Sequence, residues 1–171
     1  GTQGWINTMD STSNVRGTAP LVVASGGTIT EDGDFKIHTF NSPGTFTVCS
    51  VAGCAANNVV DYVVVAGGAG GGTGFSSGAG AGGAGGFRYY ANTTNNPQAC
   101  GPALPLNNFP SGTAITVTAT SFPITVGAGG AQAPNSPSTV ASNGVNSTFG
   151  PVTSTGGGGG GSEGSGYTGN D

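Results

Sequence analysis

Glycine occurs in runs that directly follow β-like segments, and this feature constrains the fold more than any other. Residues 59–66 are mostly valine with one tyrosine, residue types that favour strands, and they lead straight into the glycine-rich residues 67–72 and 78–86. No helix-forming segment follows. Both faces of the strand are mostly apolar, so the pattern predicts a central strand that is buried on both sides.

The number of glycines raises the question of how such a chain becomes ordered. Each glycine in a regular element costs about 0.5–1 kcal/mol relative to alanine, so ordering all 36 would cost about 18–36 kcal/mol. A typical domain is stable by only about 5–15 kcal/mol. The runs are therefore either mobile low-complexity loops or closely packed segments. Their clustering, interrupted mostly by alanine, favours packing against neighbouring segments or subunits.

Two further junctions of the same kind occur, at Val126-Gly127 and Thr155-Gly156. If the strands share one sandwich, their glycine tails leave from the same end and lie side by side in polyproline-II-like conformations, which place three residues in each turn. A strict Gly-X-Y period is absent, so the sequence excludes a collagen triple helix.

Charged residues are scarce, which limits the possible partners. The chain of 171 residues has 3 Lys and Arg against 7 Asp and Glu. A basic surface for nucleic acid or anionic membrane is therefore not expected, and no apolar stretch approaches the ~20 residues of a membrane span. The chain begins with glycine rather than methionine, and we expect it to be part of a longer polypeptide.

Short alternating segments separated by turn signals predict the fold class. Examples are the Asp32-Gly33 turn between two strands, the Pro43-Gly44 turn, and Pro123, which favours an edge or the start of a strand. We predict an all-β, antiparallel β-sandwich, jelly-roll-like, with glycine-rich, polyproline-II-like loops packed at one end. Residues 1–20 are an N-terminal arm or linker, and residues 21–171 are the domain. The predicted core comprises Phe35, Ile37, Phe46, Val48, Val60, Tyr62, Val64, Ile115, Val117, Ile124 and Val126.

One string matches a cofactor-binding motif. Gly78, Gly80 and Gly83 satisfy the G-x-G-x-x-G dinucleotide fingerprint, but that motif needs a helix after it and an acidic residue about twenty positions later. Both are missing. The match is a by-product of the glycine content, and we expect no cofactor.

Few residues offer catalytic or metal-binding chemistry. His38 is the single histidine and lies within a predicted strand, so we interpret it as a half-exposed structural residue. Asp32 and Asp34 flank Gly33 and could hold a calcium ion weakly, but turn formation explains them better. We predict that the chain is not an enzyme and has no metal site.

Three cysteines allow at most one internal disulfide. Cys49 and Cys54 are close enough in sequence for a bridged loop, whereas Cys100 lies far away. A Cys49–Cys54 disulfide and reduced thiols are equally compatible with the sequence.

An ordered set of motifs resembles the glycine-rich domain of virion structural and tail-fibre proteins of bacteriophages, especially phages of marine cyanobacteria. The motifs lie at residues 26–28, 34–40, 43–48, 60–68, 82–88 and 122–127, after an opening at 3–5 and 14–15 that resembles the preceding linker. The resemblance implies a virion appendage, a fibre or adhesin module that repeats or trimerises. It brings no catalytic residues with it.

Assembly is the remaining expectation. A 171-residue sandwich buries only about 70% of its unfolded surface, and here few side chains are large, so we predict a homo-oligomer, with a trimer expected from the resemblance. Other virion proteins and host-surface glycans are the further expected partners, and the virion the expected location. The alternative is a subunit of a cellular extracellular filament or surface layer. The candidate contact surface comprises Gly67, Gly83, Gly158, Phe87, Tyr89 and Tyr90.

Overall fold

The computed structural model describes residues 21–33, 35–74, 78–91, 113–135 and 139–162. The predicted N-terminal arm, residues 1–20, lies outside them. Within the described ranges the chain forms eleven strands and one short 3-10 helix, and no α-helix. The prediction of an all-β, antiparallel fold is confirmed.

The largest sheet has five antiparallel strands in the order β1-β4-β9-β10-β11. Its strands are β1 (Val23–Ser25), β4 (Gly44–Ser50), β9 (Ser121–Thr125), β10 (Ser147–Phe149) and β11 (Val152–Ser154). β9 is central, whereas Pro123 predicted an edge or a strand start. The regular pairs of β9 with β10 begin at Ile124, and Pro123 takes part on that side only through its carbonyl, which accepts from the Gly150 amide at 3.5 Å.

Three two-stranded antiparallel sheets make up the rest of the strands in the described residues. They pair β2 (Thr28–Asp32) with β3 (Phe35–Thr39), β5 (Val59–Val60) with β8 (Ile115–Thr116), and β6 (Tyr62–Val65) with β7 (Phe87–Tyr90). The 3-10 helix, Ala55–Asn58, precedes β5. The β6–β7 sheet lies across β10 and β11, and the two layers enclose the core.

The core contains aromatic side chains surrounded by aliphatic ones. The Phe149 ring meets the rings of Phe46 and Tyr62 edge-on, with centroids 5.8 and 5.9 Å apart. The buried cluster comprises Phe46, Val48, Tyr62, Val64, Ile115, Val117, Phe149 and Val152. Six of these were predicted. Phe149 and Val152 were not, because the short β10 and β11 give a weak strand signal.

The β2–β3 hairpin corrects the predicted core. Phe35 and Ile37 are 48% and 44% exposed. His38, on the other face of β3, points inward instead: its ring meets Phe46 edge-on with centroids 5.0 Å apart, and its Nδ1 is 2.8 Å from the Gly26 carbonyl oxygen. Both faces of this strand carry bulky side chains, so alternation alone could not identify the buried one.

Candidate functional site

Five extended segments, four of them glycine-rich, continue the strands at one end of the sandwich. We number them along the chain as the first (66–73), second (78–86), third (127–134), fourth (139–146) and fifth (155–162) segments. The first segment continues β6, the third follows β9 and the fifth follows β11, while the second leads into β7 and the fourth into β10. The sandwich therefore orients all five.

Backbone hydrogen bonds join these segments at intervals of three residues. The amides of residues 66, 69 and 72 in the first segment donate to the carbonyls of residues 86, 83 and 80 in the second. The amides of Gly67 and Gly70 donate to the fourth segment, and those of Gly157 and Gly160 donate to the first. Three residues per turn is the period of polyproline II, so each turn presents the same groups to the same neighbour.

The pattern of bonded neighbours defines two layers. The third, first and second segments form one layer, in that order, with the fourth and fifth segments beneath. The first segment is the centre of the arrangement, because it is hydrogen-bonded to all four others. We call this unit the glycine bundle.

Glycine is required inside the bundle because backbone lies where a side chain would begin. A Cβ atom on Gly67 would overlap the Ala128 carbonyl, and one on Gly70 would overlap the Ala131 carbonyl. Gly82 and Gly157 face the same restriction from neighbouring segments. These glycines are therefore packed rather than mobile, and the close approach explains their residue type as it does at the axis of collagen.

Polar side chains accept hydrogen bonds from amides that do not take part in the backbone hydrogen bonds between segments, which we call the ladder. Asn143 and Asn146, three residues apart in the fourth segment, each accept a 2.9 Å hydrogen bond through Oδ1, from the amides of Gly159 and Gly156. At the end distant from the strands, Ser162 Oγ accepts from the Thr73 amide at 2.9 Å. The two asparagines therefore repeat with the same period as the ladder.

The three candidate contact glycines lie together within one chain. The Gly83 amide donates to the Gly158 carbonyl at 2.8 Å, and the Gly157 amide donates to the Gly67 carbonyl at 3.0 Å. A Cβ on Gly83 would lie 3.0 Å from the Gly158 nitrogen. Their packing is thus explained inside the bundle, and a role for them between subunits stays a prediction.

The candidate aromatic residues lie on two different faces of the β6–β7 sheet. Tyr90 is on the inner face and stacks on Tyr62 with ring centroids 6.0 Å apart. Phe87 and Tyr89 are on the other side, where their rings stack at 6.4 Å. Tyr90 therefore belongs with the core.

The same sheet corrects the prediction that residues 59–66 are buried on both sides. Val63 pairs with Tyr89 and Val65 with Phe87, so these four residues share a face. Val63 and Val65 are 57% and 55% exposed. We call these four residues the outer apolar face. The alternation predicted an apolar face correctly, but the described part of the chain leaves it uncovered.

A shallow cleft lies at the end of the bundle distant from the strands. It has a volume of about 480 Å³ and is lined by Gly72, Thr73, Gly74, Gln132, Ala133 and Asn135. Hydroxyl and amide groups can donate and accept hydrogen bonds, as the hydroxyls of a sugar require. Nothing in the sequence pattern indicated this cleft, because it is assembled from the ends of two segments.

The cysteines and acidic residues supply no further site within the described ranges. Cys49 and Cys54 are exposed and are not joined by a disulfide. Asn58 closes this loop instead, accepting from the Ala52 amide at 2.7 Å. Gly33 has a φ of +56°, as its turn requires, and no group of metal-ligating side chains occurs among the residues that the structure covers. Asp34 lies outside them.

The fingerprint string Gly78, Gly80 and Gly83 lies in the second glycine segment, and the element that follows it is strand β7 rather than a helix. Over the described residues, no helix is long and apolar enough to cross a membrane.

Comparison with protein families matches the model of a glycine-rich domain to residues 39–171. The chain belongs to this glycine-rich domain family. The matched region of the glycine-rich domain runs from the end of β3 through all five segments of the glycine bundle. The comparisons with curated proteins and with solved structures found no match to this chain.

Proposed function

We propose that this chain is a non-enzymatic structural protein of a virion, a phage fibre or appendage module that contributes to particle architecture and host-surface attachment. The observation that carries the proposal is the glycine bundle, which is an ordered rod of backbone extending from the sandwich. Its order comes from backbone hydrogen bonds and close contact between segments. The resemblance of motifs such as 60–68 and 82–88 to phage virion proteins supports the same role.

We also propose that the module self-associates and contacts other virion proteins, with three copies as the number that the resemblance implies. The outer apolar face supports this, since Val63 and Val65 remain more than half exposed in a single chain. The polar cleft beside Gln132 and Asn135 supports contact with host-surface glycans, because these side-chain amides can hydrogen-bond sugar hydroxyls.

The proposal is tested by locating the protein. Antibodies raised against the purified chain should label phage particles in electron micrographs, at a tail, fibre or capsid appendage. Labelling of filaments or a surface layer on uninfected cells, with unlabelled particles, would instead support the alternative of a cellular extracellular protein. Pre-immune serum on the same grids is the control.

A further inference from the structure

One side of the molecule contains glycines that its own packing does not require. A Cβ on Gly68 would lie 3.6 Å from its nearest neighbour, the Gly83 oxygen, and one on Gly71 would lie 3.9 Å from the Gly80 oxygen. A Cβ on Gly129 would lie 3.5 Å from the Gly68 oxygen. These are ordinary van der Waals distances, so alanine fits at all three positions. We call Gly68, Gly71 and Gly129 the outer glycine row.

The amides at two of these positions are also the ones in the first segment for which the described residues provide no acceptor. In the first segment the amides of residues 66, 67, 69, 70 and 72 donate to neighbouring segments, and the Thr73 amide donates to Ser162. The amides of Gly68 and Gly71 donate to no described residue. They are three residues apart, which is the spacing of the carbonyl acceptors along another polyproline II segment.

The outer glycine row and the outer apolar face lie on the same side of the molecule. The inner residues Tyr62 and Val64 face β10 and β11, and Gly67 and Gly70 face the segments that continue those strands. The side of the molecule opposite these inner contacts therefore presents Val63 and Val65 at the strand end and the outer glycine row at the bundle end. This continuous surface is the open side of the molecule.

We propose that the open side packs against the same side of a neighbouring copy of this chain, around a shared symmetry axis. The apolar strand portion would bury Val63, Val65 and Phe87 against their counterparts. The glycine portion would let the backbones approach closely, so that the amides of Gly68 and Gly71 reach carbonyls spaced three residues apart. A glycine-rich polyproline II segment supplies such acceptors without intervening side chains, and four of the five segments in the bundle of a second copy are glycine-rich.

This inference deepens the self-association in the proposed function and rests on it. The chemistry favours a second copy as the occupant for two reasons. The surface of this chain is poor in charge, with 6% charged residues, so steering by opposite charge is not what selects the partner. The apolar portion of the open side can pack against its own counterpart, and the Gly68 and Gly71 amides need carbonyls three residues apart, which the glycine-rich segments of a second copy supply.

The test compares Val65→Glu with Val145→Glu. The two valines are 55% and 51% exposed, but Val145 is in the opposite layer of the glycine bundle. We expect the parent protein to associate reversibly in sedimentation equilibrium, and Val65→Glu to weaken association about tenfold or more because a carboxylate replaces a buried valine. Val145→Glu should associate like the parent, and circular dichroism should show both variants folded.

Amide exchange of Gly68 and Gly71 gives a second measurement on the unmodified chain. Both amides should exchange freely in dilute protein and become protected as the copies associate. The assignment of this face is wrong if the parent associates, Val65→Glu associates as tightly as the parent, and both amides stay unprotected. Self-association itself would still stand in that case. A parent that stays monomeric at every concentration would overturn both. Protection of both amides in a monomer would show that another part of the same chain covers the open side.

Discussion

The two ends of this molecule are held together by opposite means. At the strand end, eight buried side chains make the core, and the aromatic rings of Phe46, Tyr62 and Phe149 meet at its centre. At the glycine end, stability comes from the absence of side chains, because Gly67 and Gly70 bring backbone groups into hydrogen-bonding contact. The comparison shows that removing atoms should damage the strand end and that adding atoms should damage the glycine end.

The largest expected effect is at the strand end. Phe149→Ala should lower the free energy of unfolding by about 3–5 kcal/mol, because it removes a buried ring and leaves a cavity among Phe46, Tyr62 and Phe122. The matched control is Phe35→Ala, at a phenylalanine that is 48% exposed. Urea titration followed by circular dichroism measures both. Equal losses for the two variants would contradict the assigned core.

At the glycine end, adjacent residues provide a matched pair. Gly70→Ala adds a methyl group where the Ala131 carbonyl lies, so we expect a loss of about 1–3 kcal/mol. Gly71→Ala adds it 3.9 Å from the Gly80 oxygen. Reduced entropy of the unfolded chain should then leave stability unchanged or raise it by about 0.4–1 kcal/mol. Thermal unfolding in dilute protein separates the two, and similar melting temperatures would argue that the glycine runs are mobile.

The strands could be predicted from the sequence more completely than the bundle. Period-two alternation and turn residues such as Gly33 located most of the strands, because they act locally. The choice of face failed at Phe35 and Ile37, since β3 has bulky residues on both sides. The same ambiguity affected β6, whose two apolar faces were predicted to be buried alike.

Packing of the glycine runs was also predictable, but the role of each glycine was not. The run around Gly70 and Gly71 contains only glycine and alanine, so no neighbouring side chain distinguishes one of these glycines from the other. The register of the hydrogen bonds is set outside the runs, by the strands that lead into and out of them and by residues such as Asn143 and Ser162. The terminal cleft depends on the same register, so it could not be read from either segment alone.

A smaller effect is expected at the asparagines that supplement the ladder. Asn143→Ala should cost about 1 kcal/mol, because the partly buried Gly159 amide loses its 2.9 Å hydrogen bond. Asn146→Ala should cost less, since its bond to the Gly156 amide is exposed and water can replace it. Chemical denaturation of both variants gives the comparison, and the reverse order of losses would contradict the burial of this part of the bundle.

The smallest effect concerns pH at the strand end. Burial raises the pKa of the Tyr62 phenol, whose hydroxyl donates to the Thr113 carbonyl at 2.8 Å. The folded state therefore keeps this proton to higher pH than the unfolded state. Its contribution is complete below the ordinary tyrosine pKa of about 10 and is lost as the pH rises through the folded value. Tyr62→Phe should show a smaller decline in melting temperature above pH 10 than the parent, and an identical decline would contradict this assignment.

The most direct test of the ordered glycine bundle is amide hydrogen exchange along residues 66–73, measured by NMR in protein dilute enough to be monomeric. The bundle predicts slow exchange at residues 66, 67, 69, 70 and 72, whose amides donate to neighbouring segments, and fast exchange at Gly68 and Gly71. Two slowly exchanging amides followed by one fast amide, repeated along the segment, is the pattern that hydrogen bonding at intervals of three residues produces. Uniformly fast exchange through all eight residues would contradict the account and show that the glycine run is a mobile loop.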